Sequence, residues 1–335
     1  MSGVIARPRS PMTDALRDVQ APVRERLELV TAEMQRIVMS DLPMVEQVSG
    51  HLLRMRGKMF RPTLTLLASD VEGQSEPRAL PLAALIELMH LATLVHDDSV
   101  DHSSTRRGLP TVNSMFSHQV SVIMGDFLYS RALKALVAIR DFDVLRVVTD
   151  VSSELSMGEM RQLAAIDALS FGQREYDLLI RAKTASLISA ACESGALCGA
   201  ARFREPLARY GDRLGMAFQV VDDILDYTED ESVTGKPSGN DLREHKVTLP
   251  LIAALPQMSP VARRRVEELF ADDEPADEAI QDVMGIVADA GGIEYARRTG
   301  ERFAQEAEDA LATVPESPVR TALIGAIAYV TDRRA

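Results

Sequence analysis

Leu91-Ala92-Thr93-Leu94-Val95-His96-Asp97-Asp98-Ser99-Val100-Asp101 joins an apolar run directly to three carboxylates. A helix turns about 100° per residue, so Asp97 and Asp101, four apart, project from one face. His90, seven residues before Asp97, falls on the same stripe. The pattern returns downstream as Met216-Ala217-Phe218-Gln219-Val220-Val221-Asp222-Asp223-Ile224-Leu225-Asp226. There Gln219, Asp222 and Asp226 share a face, and Gly215 one turn earlier lets a second helix come close. Carboxylates set into such apolar helices are not ordinary solvated faces. Two helices of this kind can oppose their acidic stripes across a cavity, as bundle cores do.

Around these motifs the helical period recurs over residues 23–42, 81–96, 117–139, 143–165, 173–199, 205–226, 249–255, 260–270, 276–290 and 293–314. Alternating β-branched runs joined by hairpin turns are missing, which predicts an all-α chain. Breakers separate the helices at Gly57, at Gly73-Gln74-Ser75-Glu76-Pro77, at Gly108-Leu109-Pro110 and across 229–245. No composition break divides the chain, so residues 23–335 read as a single helical domain after a flexible Arg- and Pro-containing segment, 1–22. The 229–245 stretch, with Gly235, Lys236, Pro237, Gly239 and Asn240, is a long loop beside an acidic motif, and such loops tend to be functional.

The chain has 335 residues, 46% of them hydrophobic, and a net charge of −13. That sign argues against nonspecific binding to nucleic acid or an anionic membrane surface, though local cations can still hold a small polyanion. Cys192 and Cys198 sit in a small-residue run with no nearby His, and read as buried helical thiols. The N-terminus lacks an apolar signal region. Nothing approaches a membrane span, since the apolar stretch 322–330 is about half the needed length. A soluble cytoplasmic protein is expected.

Two like charges a few Å apart repel by about 1–4 kcal/mol at surface-like dielectrics, so paired carboxylates built twice call for a hard cation such as Mg²⁺. Basic residues gather near them: Gly57-Lys58-Met59-Phe60-Arg61-Pro62, Arg106-Arg107-Gly108, Lys183-Thr184, Lys236 and Lys246. Arg forks and Lys point charges suit phosphate oxygens. Together the set describes two diphosphates, one met through metal and one held by cations directly.

These strings, in this order and spacing, resemble the trans-isoprenyl diphosphate synthase (polyprenyl synthetase) family over nearly the whole chain. The resembling segments are Gly57-Lys58 with Arg61-Pro62, His90 with Asp97-Asp98 and Asp101, Arg106-Arg107-Gly108, Lys183-Thr184, Phe218-Gln219 with Asp222-Asp223 and Asp226, Gly235-Lys236-Pro237, Asn240-Asp241-Leu242, and Lys246 with Thr248-Leu249-Pro250. The resemblance implies the isoprenoid synthase fold, a large helical bundle around a central cavity, usually as a homodimer, with Mg²⁺ in each active site, about three ions. It implies Asp97, Asp101 and Asp222 as metal ligands, with Asp98, Asp223 and Asp226 ligating or orienting, and Lys183 among the catalytic set. Lys58, Arg61, His90 and Arg107 would hold isopentenyl diphosphate. Arg106, Lys183, Thr184, Gln219, Lys236 and Lys246 would hold the allylic diphosphate. Ser99 replaces a commoner aliphatic residue, and His245 stands where a small one is usual; neither removes a ligand.

The implied reaction ionises the allylic C–O bond, adds isopentenyl carbon to the cation and eliminates a proton, for which released pyrophosphate is the expected acceptor. Ala92 and Thr93, about 6–8 Å along the helix before Asp97, are small and predict a tunnel that continues, with Leu136 either its floor or an ordinary core residue; the resemblance to long-chain synthases in this stretch implies a product of roughly C35 to C45 for quinone side chains. Such a product implies transient membrane contact at release. Shorter farnesyl or geranylgeranyl synthesis is the alternative. A class I terpene cyclase should wrap its cations in aromatic faces, yet aromatic content is 4% with no Trp. A noncatalytic subunit would be expected to lose aspartates, and a head-to-head condensing enzyme would not need the Gly57-Lys58 and Arg61-Pro62 motif.

Overall fold

The computed structural model describes residues 11–55, 57–73, 76–164, 168–228 and 238–332. Lys236, the breakers Gln74 and Ser75, and most of the 229–245 loop lie outside the described residues. The helices are α1 (Pro11–Gln20), α2 (Arg24–Val38), α3 (Pro43–Arg54), α4 (Phe60–Ser69), α5 (Ala79–Val100), α6 (Val112–Met115), α7 (His118–Ile139), α8 (Phe142–Ala164), α9 (Gln173–Ile180), α10 (Ser186–Gly199) and α11 (Arg204–Thr228). They continue as α12 (Asn240–Arg243), α13 (Leu249–Ala254), α14 (Pro260–Ala271), α15 (Asp277–Asp289), α16 (Gly292–Ala310) and α17 (Pro318–Thr331). The all-α expectation holds, with one correction: Thr105–Arg106 and Leu109–Pro110 form a minimal antiparallel pair. Its turn residues, Arg107 and Gly108, both have positive φ, as a tight hairpin turn requires.

α5 occupies the middle of the bundle. Ala79 to Leu91 is apolar but for Glu87 and His90 and buried on nearly every side, because α2, α4, α7 and α10 surround it. A helix apolar all round must be a core helix or a membrane span. By length and composition α5 could cross a bilayer, which corrects the expectation that nothing approaches a span, but most of its apolar window is buried within the protein.

α11 packs on α10 and α16. Gly215 does what its place predicted: a Cβ there would lie 2.5 Å from the Ala185 Cα, so only glycine lets α11 approach so near. The residues it approaches, Arg181–Ala185, form a π-helical turn between α9 and α10. A π-turn inserts a residue and re-aims side chains. Cys192 and Cys198 are buried free thiols on α10, as expected.

The N-terminal boundary differs from the sequence reading. Pro11–Gln20 is helical and packs on α17, burying Val19, so the irregular segment does not reach residue 22.

Candidate active site

Asp97 sits in the last turn of α5, partly buried, with Asp101 one turn on and exposed. Burial, the nearby Glu159 and Asp101 push the Asp97 carboxyl up to about 6, against the pull of Lys183 and Arg106. Asp98 faces the opposite way, is 3% exposed, and accepts from Arg106 Nε at 2.7 Å. It therefore orients the short hairpin rather than the cavity. Ser99 is buried, and its hydroxyl meets His118 Nδ1 at 2.7 Å, fastening α5 to the start of α7.

On α11 the division is the same. Asp223 is buried, and both its oxygens are taken: Tyr176 OH donates to one at 2.6 Å and Gln219 Nε2 to the other at 2.8 Å. Asp226 accepts from the backbone N–H groups of Asn240 and Asp241 at 3.1 and 3.0 Å, so it anchors the end of the long loop. That brings in Asp241, whose carboxyl is pushed up by burial and by Asp226 and Asp222. Burial and Asp241 likewise hold Asp223 well above the usual range. Lys246, whose Nζ lies 2.5 Å from Glu244, feels both Asp101 and Asp241. Lys246 thus lies within electrostatic reach of Asp101, just past α5, and of Asp241, beside the end of α11.

Lys183 rides the π-turn and meets Gln162 Oε1 at 2.7 Å and Glu159 Oε1 at 2.8 Å. Thr184 donates to Gln219 at 2.8 Å. Beside them α8 turns through Gly158, where a Cβ would lie 2.8 Å from the Ala182 Cβ.

A second cationic group lies further back. Arg61, on α4, has a buried Nε with no hydrogen-bond partner and shares its surroundings with Glu87 and Arg107. Arg107 donates to the Met55 carbonyl at 2.7 Å, and a Cβ at Gly57 would overlap its guanidinium. Burial, then Arg61, Arg107 and Arg106, hold His90 well below the ordinary imidazole value, so it is neutral. Lys58 places its Nζ 5.6 Å from the Tyr329 ring, while its carbonyl accepts from Gln20 Nε2 at 2.9 Å. α1 thereby holds one of the predicted anion-binding residues.

Sequence reasoning missed the part played by five residues. Glu87 was legible as the one acid inside the apolar half of α5. Glu159 and Gln162 sit on an amphipathic helix with no distinguishing signal. Tyr176 carries no distinguishing signal in the sequence, and Asp241 was quoted only within a motif. Among the chain-length candidates, Ala92 and Leu136 are each 1% exposed, and Thr93 donates to the His90 carbonyl. Leu128, Ala132 and Leu136 are packed in the main core.

Among the described residues no three His, Cys, Asp or Glu side chains form a ready-made metal cage. Mg²⁺ seldom uses one; it takes one or two carboxylates, waters and substrate phosphates. The oxygen-only donors Asp97, Asp101 and Asp222 fit that demand. Two clefts open elsewhere, about 240 Å³ beside Arg146 and Asp212 and about 940 Å³ beside Phe171 and Tyr295. Neither is lined by the acidic motifs, so the carboxylate and cation geometry locates the site.

Two carboxylate-bearing helices, α5 and α11, with one set of cations near the carboxylates and another beside Glu87, lie within an all-α bundle. The chain belongs to the polyprenyl synthetase family, whose sequence model matches residues 42–287. It is 36% identical to the all-trans-nonaprenyl-diphosphate synthase (geranyl-diphosphate specific) of Rhodobacter capsulatus, over 96% of this chain and 98% of that one. It is 35% identical to the octaprenyl diphosphate synthase of Escherichia coli, over 91% and 94%. The crystal structure of the Caulobacter crescentus polyprenyl synthase complexed with calcium and isoprenyl diphosphate superimposes with a TM-score of 0.90 at 31% identity, covering 98% of this chain and all of that one.

Proposed function

We propose that this chain is a trans-polyprenyl diphosphate synthase that lengthens an allylic diphosphate with isopentenyl diphosphate and makes a long-chain product. The observation that carries the reading is the charge pattern around the acidic motifs of α5 and α11: Lys183 and Lys246 near the carboxylates, and a separate group of Arg61 and Arg107 beside His90. The nonaprenyl and octaprenyl names of the relatives support the product class.

Divalent cations, Mg²⁺ in this reading, would be held by Asp97, Asp101 and Asp222 and would supply positive charge to the departing diphosphate oxygens. Lys183 and Arg106 are held in ion pairs with Glu159 and Asp98, so their charge is stored at low cost until an allylic diphosphate shares it. Arg61 and Arg107 would grip isopentenyl diphosphate from inside the protein, where guanidinium–phosphate bonds are strong. Neutral His90 offers a donor there without adding a further buried charge. The apolar walls of α5 exclude water from the allylic cation, and proton loss falls to released pyrophosphate.

A homodimer is part of this reading: α7 leaves Val122, Ile123 and Val137 exposed, and Phe142 follows at the start of α8, so an apolar strip is available for a second copy. A cytoplasmic location, with membrane contact only at product release, belongs to the same reading.

Asp97→Ala and Asp222→Ala should each cut turnover by about 10³-fold, since charge stabilisation of the leaving group is lost. Unchanged turnover in either variant, or product formation in excess chelator, contradicts the assignment.

A further inference from the structure

Tyr176 is 2% exposed, yet its hydroxyl donates to Asp223 at 2.6 Å. A buried phenol of this size could have been Phe. The hydroxyl is retained where it completes a chain: Thr184 donates to Gln219 at 2.8 Å, Gln219 donates to Asp223 at 2.8 Å, and Tyr176 closes Asp223 from the other side. The chain runs from the π-turn that carries Lys183, through α11, to α9.

Asp223 follows Asp222 directly, so its direction fixes the roll of α11. With both oxygens bound inside the protein, Asp223 is fixed, and Asp222, about 100° further round the helix, is held in a different direction. We infer that Tyr176 is a positioning residue: by holding Asp223 it sets the second acidic face for metal and, through Gln219 and Thr184, ties that face to the turn bearing Lys183. This rests on the proposed reading of Asp222 as a metal ligand. Outer-shell groups that orient ligands commonly change metal affinity by about 10–100-fold when removed.

The test compares the full-length parent with Tyr176→Phe, which loses one oxygen and keeps the ring. Mn²⁺ binding in the presence of inorganic pyrophosphate, read by electron paramagnetic resonance, should weaken by about tenfold or more. The KM for the allylic substrate should rise, while that for isopentenyl diphosphate should stay within about twofold. Asp223→Asn should weaken Mn²⁺ similarly, and the double variant should be no worse than the weaker single, because the two act as one unit. Unchanged Mn²⁺ affinity, equal rises in both KM values, or additive losses in the double variant overturn the inference. Should Tyr176→Phe not fold, Asp223→Asn decides alone: weakened Mn²⁺ binding with a retained thermal transition supports it, and unchanged binding overturns it. A parent that binds no Mn²⁺ with pyrophosphate, or works in excess chelator, removes the functional reading and this inference together. A metal-dependent parent with an indifferent Tyr176→Phe removes only the inference.

Discussion

Each acidic motif divides its aspartates by direction. Asp97 is partly buried within reach of Lys183 and Arg106, whereas Asp98 and Asp223 are bound inward by Arg106, Tyr176 and Gln219. The cations divide too, and that division is testable. Arg61→Ala or His90→Ala should raise the KM for isopentenyl diphosphate by about tenfold, the scale of one charge-assisted hydrogen bond, with little change for the allylic substrate. Lys183→Ala should do the reverse, and equal effects on both substrates would sink the two-site assignment. Asp97 provides a pH test. Its carboxyl is raised to about 6, and a raised carboxyl contributes stability that is complete in acid and lost as pH rises through that value. Asp97→Asn removes the loss, so without metal its Tm should exceed the parent's near pH 8 and match it near pH 4. A variant less stable at the higher pH would mean that Asp97 holds the fold together.

At the scale of elements, the sequence showed best those helices with one polar face, such as α2, α8, α11 and α16. It did not show α4, whose residues from Phe60 to Ser69 are almost all buried; without a polar face there is no 3.6-residue period to find. α1 was hidden by its Pro- and Arg-rich approach, although Gln20 at its end holds the Lys58 carbonyl. The acidic motifs were legible because carboxylates inside apolar helices stand out residue by residue. Positioning groups such as Tyr176 and Glu159 were not legible, because their role lies in a contact between distant helices. α5 carries the chain-length expectation. Ala92 is buried a turn and a half before Asp97, so Ala92→Phe should place a ring across the path of the growing chain. Product analysis should then show shortening to about C15–C20 with activity retained, since the ring lies about 6–8 Å from the metal face. An unchanged product length would place the tunnel elsewhere.

Across the whole molecule, a chain of net charge −13 sets Arg61 and Arg107 in one group and Lys183 and Lys246 beside the acidic motifs, so a polyanion would meet local positive charge despite the overall sign. The helical bundle makes this arrangement possible: α5 and α11 are long enough to fix carboxylates at one end while their apolar lengths border the bundle interior. That coupling of a charged end to an apolar depth is the central claim, and it concerns one reaction and one product size. The most direct test incubates the purified chain with Mg²⁺, radiolabelled isopentenyl diphosphate and an allylic primer, with and without excess chelator, and sizes the dephosphorylated products. The account predicts linear all-trans prenyl alcohols of about C35–C45 that vanish on chelation, consistent with small side chains at about 6–8 Å depth. Cyclic hydrocarbons, a product ending at C15, or the same products in excess chelator would contradict it.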